Sequence, residues 1–177
     1  MKYRGDTINV SEAIRTKRAV RKFLEKPLPK EAVTAILNAG RRSQSSKNEQ
    51  AWHFIAISDK TVLEKLSLCG EWAGHIAGAA LAVAILTPDP KVKFQTMFDA
   101  GQAAAYMQLA AWELGIGSVP ASVYDMEKSR ALLGFPPEWH LRIALSFGFP
   151  ADVRMITAAP KKGGRKNLDE IIHWEKW

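Results

Sequence analysis

A single cysteine, Cys69, is all the thiol chemistry the chain holds, so an intrachain disulfide and a cysteine-built zinc site are both excluded. Histidine is scarce as well. His53, His75, His140 and His173 lie far apart, without the spacing of metal ligands, and read as structural or surface residues; no metal is expected. The longest apolar run, about Ile76 to Leu86, is too short to span a bilayer and is interrupted by Gly78, so no membrane partner is expected. Met1 leads into Lys-Tyr-Arg-Gly-Asp with no apolar stretch, so neither a signal peptide nor a secreted destination is expected, and the expected location is cytoplasmic. Internal repeats, low-complexity tracts and domain-dividing linkers are missing too.

Equally absent are the common catalytic signatures. The chain has no Gly-x-Ser-x-Gly elbow, no phosphate-binding Walker loop, no His-Glu-x-x-His and no Gly-x-Gly-x-x-Gly after a strand. Gly115-Ile-Gly117 reads as a helix stop. Glu12, Asp99 and Glu113 are carboxylates that no spacing pairs, so no general acid–base couple can be named from sequence.

What is present is an ordinary globular composition: 177 residues, 47% hydrophobic and 24% charged, which fits one domain over 1–177 with a genuine core. Six tryptophans exceed what a core of this size needs, and some are expected at an interface or a pocket. A net charge of +7 favours an anionic partner without naming the anion.

Periodicity places the elements. A first helix is expected from Ser11, fraying by Arg18, and a second from Pro29, with an apolar stripe of Ala32, Val33, Ile36 and Leu37 and with Gly40 just past its end. The polar stretch Arg41–Gln50 reads as a loop. Trp52–Ile57 reads as a buried strand, Asp59 as the cap of a short helix through Leu68, and Ala80–Leu86 as a second buried strand. From about Gln95 to Leu114 the chain predicts its longest helix. Ala100, Ala103, Ala104, Ala105, Ala110 and Ala111 leave small side chains over most of that helix, which predicts burial on several faces. Asp125 caps a further helix ending at Gly134, and Leu141, Ile143, Leu145 and Phe147 alternate as a strand. Strands alternating with helices would by themselves indicate a doubly wound α/β sheet. The tail closes on Ile171-Ile-His-Trp-Glu-Lys-Trp177, apolar residues that need somewhere to dock, and a partner subunit can supply it.

Three polar segments stand apart from this core: Lys17-Arg18-Ala-Val-Arg21, Ser45-Ser46-Lys-Asn48-Glu-Gln50, and Lys161-Lys162-Gly-Gly-Arg165-Lys166. Guanidinium groups bind phosphate oxygens bidentately, and hydroxyls and amides address a sugar or the edge of a heterocycle. Taken singly, each segment is equally a solvated surface. Together they suit a nucleotide-like ligand. A basic nucleic-acid-binding module is the reading from another class, but no exposed aromatics interleave the basic residues and no recognised motif accompanies them, so no nucleic acid is expected.

With these segments in hand, the chain resembles the nitroreductase family of flavin-mononucleotide (FMN) oxidoreductases. The family's opening motif appears as Lys17-Arg18-Ala19-Val20-Arg21-Lys22-Phe23, and its second as Gln44-Ser45-Ser46-Lys47-Asn48-Glu49-Gln50-Ala51-Trp52-His53-Phe54. Asp99-Ala-Gly-Gln through Gly115-Ile-Gly117-Ser118, then Leu133-Gly-Phe-Pro136, Leu145-Ser-Phe-Gly-Phe-Pro150 and Arg165 ahead of Leu168-Asp-Glu-Ile-Ile172 extend the likeness over nearly the whole chain. The resemblance implies an α+β, nitroreductase-like three-layer fold with a mixed, mainly antiparallel sheet flanked by helices. It also implies an intertwined homodimer, with 151–177 as an arm that wraps the partner. FMN would bind non-covalently at the subunit interface. Lys17, Arg18 and Arg165 would hold its phosphate, and Ala19 takes the place of a serine whose hydroxyl the family uses there. Arg21 would face the pyrimidine end of the ring, where a cation stabilises the charge of the reduced flavin. Ser45, Ser46, Asn48 and Gln50 would approach from the other subunit, and Val119, Pro120, Ala121 and Ser122 would line the ring. Gln44 and Ala51 stand where the family has prolines, which removes two rigid points from the loop. The implied activity passes hydride from NAD(P)H through flavin N5 to a small-molecule acceptor, a nitroaromatic, quinone or similar compound, by a ping-pong route with no catalytic side chain. A specialised reaction of the same fold (flavin or ring cleavage, reductive dehalogenation, small-molecule dehydrogenation) is the alternative the resemblance leaves open.

Overall fold

The computed structural model describes residues 8–157 and 164–177; Lys161 and Lys162 of the third basic segment, and the Met1–Asp6 stretch read for a leader, lie outside them. Its first helix, α1 (Val10–Thr16), is capped two residues earlier than Ser11 indicated. Asn9 is the cap, and its side-chain oxygen accepts from the Glu12 N–H at 2.9 Å. Helix α2 (Lys30–Arg41) starts just after Pro29, which supplies the turn into it, and it runs through Gly40 rather than ending there. Gly40 is kept small by packing: a Cβ at that position would lie 2.1 Å from the Met107 Cε.

Strands β1 (His53–Ile57), β2 (Leu81–Thr87), β3 (Gly117–Ser122) and β4 (His140–Gly148) form one four-stranded sheet in the order β1-β2-β4-β3, and every adjacent pair is antiparallel. The doubly wound arrangement suggested by periodicity is thereby overturned. Helix α3 (Lys60–Ser67) does connect β1 to β2, but Leu68–Ala80 turns the chain back so that β2 enters reversed. The same holds for α5 (Met126–Leu133) between β3 and β4, where left-handed Gly134 ends the helix at φ 70° and a loop with two prolines leads into the reversed strand.

Both faces of the sheet are covered, which makes three layers. On one side Ala82, Ala84 and Leu86 of β2 meet Leu63 and Leu66 of α3 and Phe135; on the other, Leu81, Val83 and Ile85 meet Ile36 of α2 and Met107 and Ala111 of the long helix α4 (Gln95–Glu113). Burial on both faces explains why β2 has no polar alternation. Strand β1 does not share that environment. It is an edge strand in which only Ile57 is buried, so the apolar run that reads as a buried strand is in fact half open.

Helix α4 is also less enclosed than its alanines indicate. Ala100, Ala103, Met107, Ala111 and Trp112 face the core, whereas Phe98 is 75% exposed and Gly101, Ala105 and Tyr106 also face out, because α2 and the sheet cover only one side. Of the tryptophans, Trp52 and Trp112 are buried, and Trp72, Trp174 and Trp177 are exposed. No helix among the described residues is long and apolar enough to cross a membrane. The short helix α6 (Arg154–Thr157) follows β4, and from Gly164 to Trp177 the chain is exposed throughout.

Two glycines separate backbone crowding from side-chain crowding. A Cβ at Gly70 would sit 2.1 Å from the Ser122 carbonyl oxygen, whereas one at Gly40 meets the end of the flexible Met107 side chain. Gly70→Ala is expected to lose about 2–3 kcal/mol in urea unfolding. Gly40→Ala is expected to stay within about 1 kcal/mol, since the gain in helix propensity offsets the repacking.

Candidate functional site

The basic run of the first motif is not a solvated surface strip. Val20 is 1% exposed and sits over Gly117, where a Cβ would come within 2.6 Å of it. Its N–H donates to the Ser118 carbonyl at 3.1 Å, and Ala19 bridges Ser118 in the parallel sense. Farther along, Phe23 bridges Pro150, the Leu24 N–H donates to the Phe149 carbonyl at 2.8 Å, and the Ala151 N–H donates to the Lys22 carbonyl at 3.0 Å. The run is stitched to the outer edge of β3 and to the end of β4, with Lys17, Arg18 and Arg21 carried on either side of the buried Val20.

Each cation has a distinct setting. The Lys17 ammonium donates to the side-chain oxygen of Gln108 on α4, and burial holds its pKa below the usual lysine value. Arg18 donates from Nε to the Thr16 carbonyl at 3.2 Å, beside the Trp112 indole N–H that donates to Thr16 Oγ1 at 3.0 Å. Arg21 is exposed. Arg165 is exposed on the tail, and no hydrogen bond joins it to the run among the described residues.

Strand β3 was hidden in the sequence by Pro120, a residue that central strands exclude. It is tolerated because β3 is an edge strand and Pro120 is exposed. Val119 and Ala121 are buried and Ser122 is half-buried. Beyond the Ala19–Ser118 bridge no further strand lies along this edge among the described residues, so Val119–Ser122 present open backbone groups beside the cations. Pro120 and Gln108 also line a cavity of about 220 Å³ between α4 and the sheet, with Arg142 on its wall and the buried, unpartnered Thr87 hydroxyl among its lining groups.

The second motif forms a strained loop. Lys47, Asn48 and Gln50 are left-handed, at φ 52°, 56° and 50°, without a glycine among them. Such strain costs of order 1 kcal/mol or more per residue and persists only where neighbours enforce it. Here the Ser45 hydroxyl accepts from the Gln50 N–H at 2.9 Å, and the Ser46 N–H donates to the buried Asp99 carboxylate at 3.0 Å. Lys93 pairs with Glu49, and that bond holds the Glu49 carboxyl below its ordinary pKa. Asn48 and Gln50 remain exposed, their amides 3.3 Å apart.

The two motifs therefore reach α4 at different places. The loop attaches at Asp99 and the basic run at Gln108. Nine residues of helix (108 − 99) are two and a half turns, so the attachment points are roughly 14 Å apart and on opposite sides of the axis.

One residue that the sequence left as structural belongs to this neighbourhood. His75 lies in the 3-10 turn Gly74–Ile76, half-buried, with Nδ1 2.8 Å from the Ser146 hydroxyl, which in turn lies 3.3 Å from the Val119 carbonyl oxygen. Burial and then the nearby Arg21 charge push its pKa down. Nothing in the local sequence, Gly-His-Ile between alanines, signals this contact with β4.

The cations suit an anionic group, and the open strand edge and the two exposed amides of the strained loop suit hydrogen-bonding ligand atoms. A sequence model of the Nitroreductase family matches residues 14–69 and 68–149. The chain is 33% identical over 172 residues to an Archaeoglobus fulgidus protein provisionally named NADH dehydrogenase/NAD(P)H nitroreductase, spanning 93% of this chain and 96% of that one. A Methanothermobacter thermautotrophicus protein of the same provisional name is 29% identical over 177 residues, 96% of this chain and 88% of its own length. Among solved structures, an FMN-dependent nitroreductase of Clostridium difficile superimposes with a TM-score of 0.80 at 26% identity, covering 93% of this chain and 98% of the other.

The depressed imidazole pKa of His75 has a linkage consequence. The unfolded chain binds the proton more readily, so the contribution to stability is full above the ordinary histidine value and is lost as pH falls below it through the lowered folded value. Between about pH 7.5 and 5.5 the melting temperature of His75→Asn is expected to fall less than that of the unaltered protein. Parallel thermal melts across that range check it, and identical slopes would contradict it.

Proposed function

This chain belongs to the nitroreductase family, and from that premise we propose that it is a homodimeric oxidoreductase using FMN and NAD(P)H. The observation that carries this reading is the separation of the two polar motifs along α4. A second copy packed on the exposed side of that helix, over Phe98, Gly101, Ala105 and Tyr106, supplies the loop that its own basic run lacks. The whole of 1–177 is one domain in this reading. Residues 151–177 form an arm over the partner, which gives Ile171, Ile172, Trp174 and Trp177 an apolar surface to cover.

When bound, FMN supplies two-electron transfer from a reduced nicotinamide to an acceptor such as a nitroaromatic or quinone, in two half-reactions at one open face. The chain's own residues bind and orient. Lys17, Arg18 and Arg165 hold the phosphate through charge-assisted hydrogen bonds. Arg21 would place a permanent positive charge beside the pyrimidine end and donate to its acceptor atoms. Val119, Pro120, Ala121 and Ser122 would offer the backbone groups of the strand edge to the ring. Ser45, Ser46, Asn48 and Gln50 of the partner subunit's loop close the polar side. Ala19 contributes backbone only. No general acid or base is required of the protein, in keeping with the absence of a paired carboxylate or triad.

Purified protein is expected to be yellow, dimeric by light scattering, and to release FMN on denaturation. Arg21→Ala and Arg165→Ala should each weaken FMN binding about tenfold, as the loss of one charge-assisted contact does. Fluorescence titration measures this, and stopped-flow bleaching by NADH and NADPH identifies the donor. Colourless protein that binds DNA in a salt-sensitive manner would overturn the reading.

A further inference from the structure

We propose that His75 is a further ligand-positioning residue of this site, presenting its outer ring nitrogen as a hydrogen-bond acceptor to the flavin pyrimidine ring. The inference rests on the FMN reading above and goes beyond it in assigning a residue that neither motif contains. Its basis is the chain of contacts from the turn to the strand edge. Ser146 is fully buried on β4, in register with Val119 of β3, and its hydroxyl has the Val119 carbonyl at 3.3 Å and His75 Nδ1 at 2.8 Å.

A hydroxyl carries one proton, and a carbonyl only accepts. We assign the Ser146 proton to the Val119 oxygen at 3.3 Å, which leaves the Ser146 oxygen to accept from His75 Nδ1–H. Under that assignment the neutral imidazole carries its proton on Nδ1 and the free lone pair on Nε2. The ring is half-buried, with its Nδ1 side anchored inward against Ser146. Burial and the Arg21 charge both favour the neutral form, which keeps that lone pair available.

Oxidised isoalloxazine has several acceptors on its pyrimidine edge and one ring N–H, at N3. Arg21 can only donate and therefore suits the acceptors. A neutral imidazole with a bare Nε2 is its complement, since it accepts the one hydrogen that a guanidinium cannot. Arg21 and His75 together address both kinds of group on the same edge. They are tied to adjacent residues of β3, Arg21 through Val20 on Ser118, and His75 through Ser146 on Val119.

The test uses the full chain with FMN and with N3-methyl-FMN, which lacks the hydrogen. In His75→Asn an amide N–H can replace Nδ1–H toward Ser146, while nothing replaces Nε2; His75→Gln restores an acceptor near the outer position. His75→Asn is expected to bind FMN about five- to tenfold more weakly, as the loss of one hydrogen bond predicts. Its preference for FMN over the N3-methyl compound should fall by a similar factor, and Gln should recover part of both. Wild-type FMN affinity in His75→Asn, or an undiminished preference for FMN over the methylated compound, would overturn the assignment of His75. If the unaltered protein itself fails to bind FMN, the cofactor reading fails, and this inference with it.

Discussion

The seating of Val20 over Gly117 is the contact on which the placement of the basic run depends. A strand residue without a side chain leaves a void at the outer edge of β3, and a buried valine fills it. The backbone bond from Val20 to Ser118 then fixes register, so that Lys17 and Arg18 fall on one side of the anchor and Arg21 on the other. A flexible basic segment would lose several kcal/mol of conformational entropy on binding an anion. Here that loss is met at folding, and the buried Val20 and Phe23 contacts offset it. The chain thereby converts a charge run, ordinarily a solvated feature, into a preorganised edge.

How much of this the sequence disclosed follows from the kind of signal each feature left. Helix caps at Asp59 and Asp125, the stop at Gly115, and strands β2 and β4 were legible because each depends on local chemistry or a local pattern. Strand direction was not. Whether a strand–helix–strand unit closes parallel or antiparallel depends on loops such as Leu68–Ala80, whose path is set by packing against the sheet. The exposure of β1 and of one side of α4 was equally hidden, since an apolar pattern reports a preference for burial and not what is available to supply it. The site divides the same way. The motif residues of the candidate site came from a family resemblance, whereas the contact of His75 leaves no sequence pattern because it joins a turn to Ser146 on a strand distant in sequence.

Helix α4 carries two conflicting demands, and its composition reconciles them. On the inner side, Ala100, Ala103 and Ala111 allow close packing against the sheet and α2. On the outer side, Gly101 and Ala105 keep a flat strip between the larger Phe98 and Tyr106. Asp99 and Gln108 interrupt this apolar helix at polar positions, and both are buried and occupied, one by the Ser46 N–H and the other by the Lys17 ammonium. These two residues are therefore the helix's attachment points for the two motifs, and their half-turn offset is what distributes the motifs to opposite sides.

The loop at Ser45–Gln50 shows how the same end is reached without the expected rigidity. Gln44 and Ala51 occupy positions where proline would restrict the backbone, so the three left-handed residues between them have no such constraint to hold them. Hydrogen bonds take over that task. Ser45 closes the loop on itself, Asp99 ties it to α4, and the Glu49–Lys93 pair ties it to the segment before α4. Of these, only the Asp99 bond is made to a buried acceptor, and hydrogen bonds to a charged, desolvated group are the stronger kind. The exposed pair contributes little by comparison. The conformation that presents Asn48 and Gln50 thus rests chiefly on Asp99, a carboxylate whose work here is structural, and an acid–base role is not needed to account for it.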